Sequence, residues 1–298
     1  MKYLSFICSF ALFFYNDIKP QSNKKEIQRN IDLQKEKFEK IAKSIWTWAE
    51  VGYQEEKSTA LLKKTLFDEG FDIRSGVAEI PTAFVAEYGS GFPVIGILAE
   101  FDALPGISQS VATKRVPIED NNAGHACGHH LFGTASTAAA IAIKDYLKSS
   151  NQKGTIRLYG TPAEEGGSGK VYMVRAGLFD DVDFVLDWHA SDRNAANPGT
   201  SMANRSAKFK FYGYSAHAAG APEKARSSLD AVEAMNHMVN LLREHIPDGS
   251  RIHYVITKGG NTPNVVPDFA EVFYYVRDFN VNILENIWSR VVKAAEGA

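Results

Sequence analysis

Residues 94–102 read Val94-Ile95-Gly96-Ile97-Leu98-Ala99-Glu100-Phe101-Asp102, an apolar run that passes without a break into two acids. The turn residues Gly89-Ser90-Gly91 precede it. A short apolar run bounded in this way reads as a buried strand. Two further predicted strands likewise lead into polar clusters. Residues 155–159 lead into Pro162-Ala163-Glu164-Glu165, and residues 183–186, read as another buried strand, lead into Asp187-Trp188-His189. A fourth strand is expected over 82–88.

The intervening segments read as helices. Ile27, Ile31, Phe38, Ile41, Ile45 and Trp48 recur at helical spacing, so one long amphipathic helix is expected over 24–49. Others are expected over 58–69, ended by Gly70, over 131–147, and over 169–176, closed by Gly177. Strands alternating with helices predict an α/β architecture. In such sheets ligands bind beyond the carboxyl ends of the strands. The three polar clusters therefore belong at one edge of one sheet.

After about Ser201 the pattern changes. Strands are expected over 207–212, 251–257 and 269–277, and helices over 226–244 and 281–296. That β-α-β-β-α order is a ferredoxin-like α+β unit without its last strand.

With 298 residues, two domains are expected. A net charge of -2 gives no basic surface for nucleic acid and no charge for a membrane surface. Met1-Lys2 followed by an apolar run from Tyr3 to Tyr15 is too short to span a bilayer and suits a secretory signal. No clear small-x-small cleavage site follows, and cleavage is placed near Gln21-Ser22. The expected organisation is a signal over 1–22, a metal-binding catalytic domain over 23–204 and a second domain over 205–298. The product would be secreted or periplasmic, with no stable membrane association. Losing Cys8 with the signal leaves Cys127 as the one thiol, so no disulfide framework is expected.

That thiol lies in His125-Ala126-Cys127-Gly128-His129-His130. Thiolate, imidazole and carboxylate are the usual ligands of zinc. A nucleophilic Cys127 activated by a histidine is the alternative, but it leaves Glu164-Glu165 unexplained. Neighbouring glutamates suit metal-assisted hydrolysis, one as ligand and the other as proton carrier. Gly166-Gly167 then gives the backbone freedom to approach a ligand. His189 shares the sheet edge and is a further candidate ligand. His237, His245 and His253 have no such company and read as surface or packing residues.

The motifs AEFDALPG, GHACGHH, GTPAEEGG and DWHA stand in the order and spacing of metallopeptidase family 20, the di-zinc aminoacylase and carboxypeptidase family. The chain resembles the amidohydrolase branch with a Cys-Gly-His metal motif, near the aminobenzoyl-glutamate hydrolases and β-alanyl-lysine dipeptidase-like proteins. The resemblance implies a di-zinc exopeptidase-like catalytic domain with an inserted ferredoxin-like lid and dimerisation domain. It implies two divalent metal ions, zinc first with manganese or cobalt as alternatives, held by Cys127, His129, Glu165 and His189. Glu164 is implied as general base, and Asp102 as the group that orients the site. The Gly213–Ala218 motif implies that His217 reaches a partner subunit's site to stabilise the oxyanion, in a homodimer formed through the lid. Asn264 and Arg277 are implied to hold the substrate carboxylate, a task a guanidinium suits. The implied reaction is hydrolysis of the amide bond of an N-acyl amino acid or dipeptide by a metal-activated water. The family also draws a final histidine ligand from a segment after the lid, and this chain reads as ending before it. A noncatalytic metal- or peptide-binding protein on the same scaffold is the other reading.

Overall fold

The structure is a computed structural model that describes residues 20–118, 122–196 and 199–298, with side chains from residue 23 onward. The expected signal lies outside these residues except for 20–22, whose backbone opens the first helix. The chain divides into two compact units between Arg193 and Asn194. The sequence reading sets that boundary at 204. The irregular stretch before the next strand goes with the second unit instead.

The first unit contains α1 (Pro20–Leu33), α2 (Lys35–Trp48), α3 (Glu56–Asp68), β1 (Asp72–Ser75), β2 (Phe84–Ser90), β3 (Val94–Ala99), β4 (Leu104–Pro105) and β5 (Ala123–Gly124). It continues with α4 (His129–Ser150), β6 (Gly154–Gly160), the distorted turn α5 (Glu164–Gly167), α6 (Gly169–Arg175) and β7 (Phe184–Leu186). Five strands form one mixed sheet in the order β1-β2-β6-β3-β7. β3 runs parallel to both neighbours, with Ala99 opposite Gly160 and Ile97 opposite Leu186. The carboxyl ends of β6, β3 and β7 consequently lie side by side. The pairs β1–β2 and β2–β6 are antiparallel.

Helices α2, α3 and α4 supply Ile45, Leu62, Leu66 and Ile141 to a core with Phe84, Phe101, Ile156 and Leu158 from and beside the sheet. Burying such side chains contributes roughly 1.5–3 kcal/mol each, and here it fixes the strand ends against α4.

Two expectations are corrected and one strand is added. The single helix over 24–49 is two helices, because the chain tightens at Gln34, whose N–H bonds Ile31 O at 3.0 Å. The strand over 183–186 is not buried, since Phe184, Val185 and Leu186 are all exposed. β7 is a short edge strand paired on one side to β3, a position that apolar composition alone does not reveal. β1 is an addition to the expected strands. Its sequence, Asp72-Ile73-Arg74-Ser75, is polar because it forms the other sheet edge.

The second unit contains β8 (Ala203–Tyr212), α7 (Ser228–Leu242), β9 (Arg251–Lys258), β10 (Phe269–Asp278) and α8 (Val281–Gly297). Its antiparallel sheet has the order β8-β10-β9, and the element order β-α-β-β-α is the one expected. Val232, Met235 and Val239 of α7, with Leu284, Ile287 and Val291 of α8, pack on Ala270, Val272, Tyr274 and Val276. Ser227 caps α7 by accepting the Asp230 N–H at 3.1 Å, and Asn280 caps α8.

Candidate metal centre

Each of the three adjacent strand ends delivers one cluster to the same place. Asp102 follows β3 and is almost fully buried, Glu164 and Glu165 follow β6, and His189 follows β7. The fourth contribution comes from α4. Its first residue, His129, is fully buried, and Gly128 takes φ 93° just before it. Glycine adopts that left-handed conformation without a Cβ penalty.

Asp102 organises the centre. Its Oδ1 accepts a hydrogen bond from His129 Nδ1 at 2.9 Å, and its Oδ2 accepts the Glu165 N–H at 2.8 Å. Burial is the largest influence on Asp102 and would raise its pKa, but the His129 hydrogen bond, the Glu165 N–H and the His129 charge together hold the carboxyl below its ordinary range. With Nδ1 protonated and occupied, the His129 Nε2 lone pair faces the centre. It stands 3.2 Å from Glu100 Oε2 and 3.9 Å from both Glu164 Oε2 and Glu165 Oε1. His129 Nε2 and Glu165 Oε1 are both buried and have no hydrogen-bond partner among the described residues. Polar atoms in that state are costly, and a bound cation would satisfy both.

His189 is arranged the same way. Its Nδ1–H donates to Ala190 O at 3.0 Å, leaving Nε2 to accept from the Cys127 thiol at 3.2 Å. Histidines that bind metals are oriented by a hydrogen bond at the second ring nitrogen. Ligand atoms of Cys127, His129 and His189 lie within 4.8 Å of one another, as do those of His129, Glu164 and Glu165. Zinc bonds of about 2.0–2.3 Å place tetrahedral ligands roughly 3.3–3.8 Å apart, so these donors fit a metal in both separation and chemistry.

The electrostatics also fit. Burial, then the charges of Glu165, Glu164 and Glu100, push the Cys127 thiol up to about 11. That is the wrong direction for a free nucleophilic thiolate and a natural setting for a cation. Burial, with Glu164 adding to it, likewise raises Glu165. Burial works to lower His129, but the Asp102 hydrogen bond and the charges of Asp102, Glu100 and Glu165 together raise it.

Glu100, Lys170 and Glu55 carry no role in the sequence reading. Glu100 is buried, forms an ion pair with Lys170 and faces His129. Its place at the end of β3 is the signal available for it. Glu55 is fully buried and accepts the Ala163 N–H at 2.8 Å. Burial raises its pKa.

The second unit holds His217, Asn264 and Arg277, and it does not bring all three together. His217 pairs with Val265 across a single β-bridge, and Ala218 N–H donates to Asn264 O at 3.0 Å, so these two are neighbours. His217 Nδ1 accepts the Ala219 and Gly220 N–H groups at 3.2 and 3.0 Å, which places the ring proton on the exposed Nε2. Arg277 lies near the far end of β10, opposite Asn204 and Arg251. At about 3.4 Å per residue, the span from Phe269 is roughly 27 Å. Arg277 Nε is buried and unpartnered among the described residues.

The family model for peptidase family M20/M25/M40 matches residues 96–281, more than half of the chain, and the chain belongs to this family. It is 44% identical over 270 residues to one of the p-aminobenzoyl-glutamate hydrolase polypeptides of Escherichia coli (strain K12), covering 90% of this chain and 56% of that protein. It is 30% identical over 266 residues to Xaa-Arg dipeptidase of Mus musculus, covering 85% of this chain and 58% of that protein. The chain thus spans a little over half the length of these curated relatives. Among solved structures, a Bacillus subtilis protein described as a dinuclear metal binding peptidase from the M20 family shares the fold. Its TM-score is 0.61 at 22% identity, covering 88% of this chain and 69% of that one.

Proposed function

We propose that the chain carries the metal-binding site of an amide hydrolase acting on N-acyl amino acids or dipeptide-like substrates. The observation that carries this reading is the pair of buried atoms that make no hydrogen bond among the described residues, His129 Nε2 and Glu165 Oε1, 3.9 Å apart beside Glu100 and Glu164. Cys127, His129, Glu165 and His189 would hold two divalent ions, zinc being the best match to a thiolate and imidazole set. When bound, the metals supply Lewis-acid polarisation of the substrate carbonyl and activation of a water. Glu164, half exposed at the rim, takes the proton of the attacking water and returns it to the leaving nitrogen. Asp102 keeps His129 in the tautomer that presents Nε2.

The substrate class follows from the relatives, whose names specify aminobenzoyl-glutamate and Xaa-Arg dipeptides. Both contain an amide beside a free amino-acid carboxylate, and Arg277 and Asn264 suit that carboxylate. Their placement toward opposite ends of the second unit supports a two-fold homodimer. Each composite site would take Arg277 from one copy and His217 with Asn264 from the other. His217 Nε2–H would donate to the developing oxyanion. Export to the periplasm or medium remains part of the reading and rests on the apolar run from Tyr3 to Tyr15. Among the described residues no helix is long and apolar enough to cross a membrane.

The test is hydrolysis of a panel of N-acyl amino acids and dipeptides by the protein after chelation and after return of zinc, manganese or cobalt. Metal-restored cleavage of one substrate class is expected. Stoichiometric metal uptake with no cleavage, at any length of the natural protein, would favour the noncatalytic binding reading.

A further inference from the structure

Ala163 stands immediately before Glu164. It is fully buried and holds φ 56°, ψ 43°. A residue with a Cβ keeps this left-handed conformation only where its surroundings enforce it. The enforcing contacts come from residues 52–55, between α2 and α3. A Cβ on Gly52 would lie 2.9 Å from both Ala163 Cα and Cβ, so the two backbones are in direct contact. Tyr53 donates its hydroxyl to Gly167 O at 2.6 Å, at the far end of the same turn. Glu55 Oε1 accepts the Ala163 N–H at 2.8 Å.

Glu55 is the unusual member of this group. It is an acid with no exposed surface, and its Oε2 is buried without a hydrogen bond among the described residues. Such burial is costly, and it is not needed to cap α3, since Glu55 makes no side-chain capping bond there. The hydrogen bond that its side chain accepts comes from the backbone beside Glu164 and Glu165.

We propose that Glu55 is a positioning residue whose bond to the Ala163 N–H holds the 163–167 turn in the conformation that aims Glu164 and Glu165 at the metal centre. This rests on the reading of those two glutamates given above. Glu55 touches neither metal nor substrate, and it acts through the backbone.

Glu55→Gln keeps both the reach and an acceptor oxygen. Glu55→Asp keeps the carboxyl but withdraws it by one methylene, and Glu55→Ala removes it. Two readouts are needed: zinc affinity by chelator competition, and hydrogen exchange of the 163–167 amides in the metal-free protein. Glu55→Asp and Glu55→Ala should weaken zinc binding by about 10–100-fold, the range for groups that support metal ligands, and should speed exchange in this turn. Glu55→Gln should stay close to wild type in both. If Glu55→Ala does not fold, the Asp and Gln pair decides alone. Unchanged affinity and exchange in Glu55→Asp would overturn the proposal, as would a Glu55→Gln variant as impaired as Glu55→Asp. A wild-type protein that takes up no zinc, with the turn still loosened in Glu55→Asp, would remove the metal reading and leave the anchoring intact.

Discussion

Asp102 Oδ1 and His129 Nδ1 lie 2.9 Å apart in the buried floor of the centre, while the second Asp102 oxygen accepts the Glu165 N–H. One carboxylate thereby sets the tautomer of one candidate ligand and the backbone position of another. Asp102→Asn cannot serve both. An amide has one acceptor, so either the His129 Nδ1–H or the Glu165 N–H would face an NH₂ group. Loss of about 10–100-fold in metal affinity is expected, read by chelator competition on folded protein.

His125 should make the metal-free protein acid-sensitive. Burial, with the His130 charge second, lowers its pKa from 6.5 to about 4. Below pH 6.5 the unfolded chain takes up a proton that the folded chain refuses until about pH 4. Stability should therefore fall as pH drops through this window, by roughly 2–3 kcal/mol from this group. His125→Gln, which can still donate to Ile45 O as His125 Nε2 does at 3.2 Å, should flatten that part of the profile. Urea unfolding at pH 7 and pH 4.5 measures both.

The composite-site reading predicts complementation. His217→Ala should leave metal content unchanged and lower kcat, because the group acts as charge develops on the carbonyl oxygen. Mixing the impaired Glu164→Gln and His217→Ala subunits should raise activity above that of either alone, since one heterodimer site combines both intact groups. Demonstrated subunit exchange without recovery would confine His217 to its own subunit.

Much of this is legible in the sequence, for identifiable reasons. β3 stands out because its uninterrupted apolar run ends at Glu100, β6 because the Glu164-Glu165 pair follows it within a few residues, and the parallel order of β6, β3 and β7 then forces those acids together. The exposure of β7 is not legible, because an apolar edge strand and an apolar core strand share one composition. Glu55 is hidden for a different reason. Next to Glu56 and Lys57 it reads as an ordinary charged helix start, and its partner lies 108 residues away. Asn264 and Arg277 are assigned to one carboxylate by the family resemblance alone, which does not show their spacing. The intervening length of β10 separates them.

In the proposed reaction Glu164 carries the proton of a metal-dependent cleavage. The most direct measurement pairs metal content with turnover on one preparation of Glu164→Gln, made in the longest natural form of the chain. Gln keeps the shape and loses the proton carrier. Wild-type metal content with kcat reduced by ~10²–10⁴-fold is the predicted result. A metal-loaded Glu164→Gln protein with near-normal kcat would contradict it.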